Sequence, residues 1–425
     1  MKPAKPWRRD VRACLGLLLA GSLHLLSAQE QTLLPDESWP PPLSGAVDGT
    51  ATVITDEFLK VPAAVETART QEGAAPFVVA KTAPTVLIAY HNNLPNRSAN
   101  GTGWSAWGDI EVASDGSVYV GTGNHGRNDQ VPEEQGGHVF IYRWNSATRT
   151  LTQVVDVNKV VGVQRGDPTW SKVHAGIHEG SDGKIYFTCT LNDGGRASLI
   201  KWTERVPGGQ LFQYDPQSGR TAIVGVFPGE VTPTTCLDRT RHVFYANMEG
   251  RTARTDVALT AFDLSSRKII FQSPRDAVIN SRNLALARDG AVYFNGRDGL
   301  WKYDPDAKTI APTRSSFPGA TTMRSSTRET ADGCIYGTTM RPAQLFRYSP
   351  AQDRMEMLGP DFLAGDYTTV TVLSPDHKYV YYLPGAHGGA LKIGTPVVQY
   401  EIATGQRKVL GFLKEGVERA TGYSP

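Results

Sequence analysis

Apolar and polar residues alternate along most of this chain, and the clearest instance lies between Trp170 and Gly195. Val173, Ala175 and Ile177 fall on one side and His174, Gly176 and His178 on the other, which predicts a short strand. Ser181-Asp182-Gly183 then supplies a turn, and Lys184 to Thr190 predicts a second strand running back along the first. That strand leads into a polar, glycine-rich loop, Asn192-Asp193-Gly194-Gly195.

The unit recurs. Its turn aligns at Asp115-Gly116, Asp182-Gly183, Asp238, Asp289-Gly290, Asp332-Gly333 and Asp376. The interval from Asp115 to Asp182 is 67 residues, and from Asp289 to Asp332 it is 43. An aromatic strand follows each turn: VYVGT, IYFTC, VFYAN, VYFNG, IYGTT and YVYYL. A third strand ends on an aromatic with a polar residue or proline behind it, as in Phe212-Gln213-Tyr214-Asp215-Pro216. Turns such as QSGR and ATGQ then lead into a fourth strand, for example Lys408 to Leu413. Four antiparallel strands repeated about every 40 to 50 residues is the period of a β-propeller blade. The expected fold is therefore all-β. Six blades are countable, and the apolar runs within 46–90 are expected to supply a seventh or to complete the last. Seven blades are expected, with six as the alternative.

The N-terminus changes the picture. Lys2, Lys5, Arg8, Arg9 and Arg12 precede an apolar run from Ala13 to Leu26, and Ser27-Ala28 offers a cleavage site. Residues 1–28 read as a signal peptide, 29–45 as a Pro-rich linker (Trp39-Pro40-Pro41-Pro42), and 46–425 as the propeller. The mature protein is expected to be secreted or periplasmic, a monomer, and free of the membrane. A net charge of +2 predicts no bulk attraction to nucleic acid. Outside the leader, Cys189, Cys236 and Cys334 are too few and too scattered for a disulfide framework, and they read as small core residues.

Across 105–413 the repeats resemble those of secreted bacterial β-propellers in the broad WD-like and quinoprotein-like superfold. The resemblance implies an architecture and not a chemistry, because propellers host unrelated functions. ATGQRKVL and QSGRTAIV lack the tryptophan of the quinoprotein repeat, so no quinone is expected, and the sialidase Asp-box is absent.

The extra residues of the longer repeats fall between second and third strands, which in a propeller lie on the same face as the approaches to the innermost strands. Insertions gathered on one face mark a binding face. That face is expected to carry Asn124, His125, Asp193, Asn295, Arg341 and His387 on its loops. Trp107, Trp170, His174, Arg282, Arg324 and Arg328 lie on its approaches. Arginines suit an anionic ligand, and exposed tryptophans suit sugar rings, so an acidic carbohydrate or another extracytoplasmic ligand is the expected partner.

Three readings follow. In the first, His174 or His125 abstracts a proton, an arginine neutralises the uronate and Tyr382 protonates the leaving oxygen. This is β-elimination as in the propeller polysaccharide lyases, which the chain resembles in architecture only. In the second, Asn192, Asp193, Asn247, Glu249 and Asn295 converge on Ca²⁺, as the gluconolactonase-like propellers do. In the third, the protein is a non-catalytic scaffold for a glycan or another protein. No zinc pattern, nucleophile elbow or phosphate loop is present.

Overall fold

The computed structural model describes residues 50–91, 106, 110–124, 137–164, 167–192, 204–229, 231–248, 257–277, 283–363, 367–386 and 388–422. Among them the chain forms six consecutive antiparallel blades. Blade 1 is Ile110–Val112, Val118–Gly123, Val139–Asn145 and Thr150–Asp156. Blade 2 is His178–Glu179, Ile185–Thr188, Gly209–Asp215 and Arg220–Phe227. Blade 3 is Val231–Asp238, Val243–Met248, Val257–Asp263 and Lys268–Pro274. Blade 4 is Ala285–Leu286, Val292–Gly296, Gly299–Asp304 and Thr309–Pro312. Blade 5 is Met323–Ser326, Ile335–Thr339, Gln344–Ser349 and Arg354–Pro360. Blade 6 is Thr371–Leu373, Tyr379–Tyr382, Pro396–Glu401 and Arg407–Phe412.

The repeated turn has a common cause. In all six blades the turn aspartate accepts a hydrogen bond from the backbone N–H two residues on. The donors are Ser117 (2.8 Å), Lys184 (3.2 Å), Thr240 (2.8 Å), Ala291 (2.9 Å), Cys334 (3.1 Å) and Lys378 (3.2 Å). The glycine after it takes positive φ where it is present, for example 79° at Gly116 and 86° at Gly290. In blades 2 and 5 the tyrosine of the second strand also donates to the turn carboxylate, Tyr186 to Asp182 and Tyr336 to Asp332.

The expectation of seven blades is corrected. Thr50–Ile54 and Thr85–Ala89 pair only with each other. Their inward side chains, Val53, Val86 and Ile88, pack on Phe58 and on Leu413 and Val417 of the C-terminal helix Leu413–Thr421. A two-stranded ribbon with one apolar face consumed by a helix has no second face with which to stack as a blade. Nor does blade 6 need completing, since it has four strands of its own. Val78–Val79 adds outside them, parallel to Arg407–Phe412, and so covers an edge that would otherwise be open.

The strand expected over Val173–His178 is also interrupted. Thr169–Lys172 pairs with Thr190–Asn192 in a separate ladder, and His178–Glu179 pairs with Ile185 and Tyr186. Between them the Gly176 carbonyl accepts from the Thr235 hydroxyl (3.2 Å) of blade 3, and a Cβ at Gly176 would collide with the His178 ring at 2.7 Å. Side-chain traffic to the neighbouring blade replaces the ladder here.

Apolar clusters join successive blades. Trp170, Phe187 and Phe212 pack with Tyr119 and Ile141 between blades 1 and 2. Phe244 and Phe262 pack with Tyr186 between 2 and 3, Phe294 and Tyr303 with Tyr245 between 3 and 4. Tyr293 packs with Phe346 and Tyr348 between 4 and 5, and Tyr336 with Val380 and Tyr400 between 5 and 6.

Carboxylates at the turn end add polar latches. Glu179, 2% exposed, accepts from the backbone N–H (3.0 Å) and hydroxyl (2.6 Å) of Ser114 in blade 1, and pairs with Arg239 of blade 3 at 2.9 Å. Glu329 occupies the same place in blade 5 and accepts from the backbone N–H of Arg288 in blade 4 (2.8 Å). One carboxylate thus links three blades and another links two. No described helix is long and apolar enough to cross a membrane.

Candidate functional site

At the loop-rich end, three side chains from blades 5 and 6 converge. Arg324 lies on the innermost strand of blade 5, Arg341 on the connection from its second to its third strand, and Tyr367 on the approach to blade 6. The Arg324 guanidinium lies 5.2 Å from the centre of the Tyr367 ring, and that of Arg341 lies 5.7 Å from the same ring. Both distances are within the range of a cation–π contact. Tyr367 is 4% exposed and Arg324 6%, whereas Arg341 is open to solvent. Backbone bonds hold the group in place: Arg324 Nη1 donates to the Thr369 carbonyl (3.3 Å), Arg341 N–H to the Thr321 hydroxyl (3.2 Å), and Ala386 N–H to the Tyr367 carbonyl (3.0 Å).

Beneath them lies a buried carboxyl. Asp361 is wholly enclosed and accepts from the Thr368 hydroxyl (2.7 Å) and the Phe362 N–H (2.8 Å). Burial outweighs these bonds and the nearby Arg407 charge, and pushes its pKa up to about 6.

The other residues expected at the site are dispersed. His174 is half-buried between the Thr169–Lys172 ladder and the His178–Glu179 strand, with Nδ1 at 3.4 Å from the Thr190 hydroxyl. Tyr382 is 1% exposed, and its hydroxyl donates to the Asp361 carbonyl at 2.6 Å. Trp170 is fully buried, edge-on to Phe212 with ring centres 5.9 Å apart. Asn124 extends the blade 1 ladder by accepting from the His138 N–H (2.8 Å). Asn295 uses both ends of its amide on Met323, donating to the carbonyl (3.0 Å) and accepting from the N–H (2.9 Å). Arg328 is exposed, two residues beyond the innermost strand of blade 5 and outside the Arg324, Arg341 and Tyr367 group. His125, Arg282, Asp193, Trp107 and His387 lie outside the described residues.

Sequence reasoning placed Arg341 on the correct loop but did not pair it with Arg324, and it passed over Tyr367. Nothing local signals that ring: its role comes from the fold bringing residues 324, 341 and 367 together.

No protein-family model matches the chain, and no curated protein matches its sequence. Among solved structures it is similar to virginiamycin B lyase from Staphylococcus aureus, at 8% identity over 71% of this chain and 82% of that one, with a TM-score of 0.47. It is similar to the extracellular domain of a putative one-component system from B. thetaiotaomicron, at 15% identity over 73% of this chain and 33% of that one, TM-score 0.45. It is also similar to TolB from Acinetobacter baumannii, at 14% identity over 66% and 61%, TM-score 0.39. None of the three is close enough to bring a function with it.

Proposed function

We propose that the protein is an exported binding scaffold whose loop-rich end holds an acidic carbohydrate at Arg324, Tyr367 and Arg341. The observation that supports this is the pair of guanidinium groups against one tyrosine ring, with Arg341 facing solvent. The Arg341 guanidinium is exposed, and a ligand carboxylate can accept charge-assisted hydrogen bonds from it. The sugar ring of a uronate offers both the carboxylate and an apolar face. Binding is favoured over cleavage because the acid named for the lyase reading, Tyr382, is sealed in the core with its hydroxyl bonded. The amide of Asn295, named for the calcium reading, is likewise occupied by backbone.

The test is a glycan array carrying uronate polymers and neutral glucans. The wild-type protein is expected to retain the uronates and not the glucans. Arg341→Ala, a change at an exposed side chain, is expected to weaken uronate binding about tenfold, the value of one charge-assisted hydrogen bond. Equal binding of neutral glucans, or unchanged binding by the variant, would refute the proposal.

A further inference from the structure

The Tyr367 ring seats Arg341, the exposed guanidinium of the site, so whatever fixes that ring fixes the group that meets a ligand. Three successive residues are each tied to a different element there. The Tyr367 carbonyl accepts from the Ala386 N–H, the Thr368 carbonyl from the Thr338 hydroxyl (3.3 Å), and the Thr369 carbonyl from Arg324. The Thr368 side chain adds a fourth tie, its hydroxyl donating to Asp361 at 2.7 Å.

These ties reach both arginine-bearing strands of blade 5. The Thr338 hydroxyl that donates to the Thr368 carbonyl also meets the Ser325 hydroxyl at 2.6 Å. Ser325 follows Arg324 directly, and Thr338 stands three residues before Arg341. Ser325, Thr338, Thr368 and Asp361 are all buried, where a low local dielectric strengthens each bond.

Asp361 has its own backbone pinned. Its N–H donates to the Ala343 carbonyl (3.2 Å), and its carbonyl accepts from the Tyr382 hydroxyl (2.6 Å). Within the carboxylate, Oδ1 accepts from the Phe362 N–H (2.8 Å) and Oδ2 from Thr368. Because Oδ1 faces an N–H that cannot turn, an added proton goes to Oδ2, where the Thr368 hydroxyl proton already points. One of the two protons has to rotate away, and the bond that holds Thr368 is reversed or lost. Two further groups bear on this carboxyl among the described residues. The Arg407 charge favours its ionised form, and Tyr382 is kept protonated by burial.

We propose that Asp361 and Thr368 are positioning residues of the binding site. The ionised Asp361 carboxylate holds Thr368, Thr368 holds Tyr367, and the Tyr367 ring seats the Arg341 guanidinium that takes the ligand carboxylate. Acidification therefore loosens the site from within. The ligand is the uronate proposed above, and only the binding arm of the test rests on that reading.

The first arm needs no ligand. In the full chain carrying isotopically labelled tyrosine, the Tyr367 ring resonances are identified by their loss in Tyr367→Phe and followed from pH 7 to pH 5. They are expected to shift with a midpoint of about 6, where burial places the Asp361 carboxyl, and to stay still in Asp361→Asn. The second arm is calorimetric titration with a uronate tetramer over the same range. Wild-type affinity is expected to fall about fivefold between pH 7 and pH 5, as for the loss of one hydrogen bond. Thr368→Val is expected to bind about fivefold more weakly at pH 7 and to lose the pH dependence. Thr368→Ser, which returns the hydroxyl, is expected to recover both, and thermal melts show that each variant is folded. A titrating ring signal without uronate binding would overturn the carbohydrate reading and support the positioning. Ring signals that do not titrate, or that titrate equally in Asp361→Asn, would overturn the positioning. So would uronate binding of equal strength at pH 5 and pH 7.

Discussion

Replacing Glu179 by alanine is expected to cost about 3 kcal/mol of stability, because it removes a buried carboxylate shared by Ser114 and Arg239. Three consequences combine. Arg239 loses its carboxylate, the Ser114 hydroxyl loses its acceptor, and the Ser114 N–H is left without its bond. Arg239 is partly exposed and rehydrates, which keeps the cost at the lower end of the range for buried pairs. The equivalent change at Glu329 removes only the bond to the Arg288 N–H and is expected to cost about 1 kcal/mol. Urea denaturation of the two variants measures the difference. If Glu179→Ala stays within about 0.5 kcal/mol of wild type, the carboxylate does not link the blades.

Between pH 7 and pH 5, two enclosed groups are expected to move stability in opposite directions. Desolvation lowers the His178 pKa to about 3, with the Arg328 charge acting the same way. A depressed histidine binds fewer protons folded than unfolded, so its contribution is present above the unfolded value of about 6.5 and is lost as the pH falls below it. Asp361 is the converse. Its folded pKa near 6 lies above the ordinary aspartate value of 3.8, so the stability linked to it is complete below the unfolded value and is lost as pH rises through 6. Each term is about 1–2 kcal/mol over this window, so the wild-type profile is nearly flat. His178→Gln is then expected to become more stable on acidification, and Asp361→Asn less stable. Thermal melts of both variants at pH 5, 6 and 7 give the slopes. Parallel slopes in both variants and wild type would show that neither group carries the linkage.

The blade pattern was legible because it is local. The Asp-Gly turn, the aromatic second strand and the third-strand aromatic each depend on neighbours a few residues away, and the six Asx bonds show the turn doing the same work in every blade. The blade count was less accessible. Val53, Val86 and Ile88 alternate as blade residues do, and only the helix Leu413–Thr421 against them determines where they pack. The site was least accessible, because each assignment there depends on a partner in another blade. Asn295 looks like a ligand until Met323 is placed beside it, and Tyr382 looks like an acid until the Asp361 carbonyl lies over its hydroxyl. Glu179 was passed over because, in sequence, it is one more polar residue before a turn.

The most direct test of the binding account is a crystal structure of the protein soaked with a uronate tetramer. The account predicts sugar density at the loop-rich end, with a uronate carboxylate on the exposed Arg341 guanidinium. Density at the turn end or on the outer strands, with Arg341 left without a sugar, would contradict it.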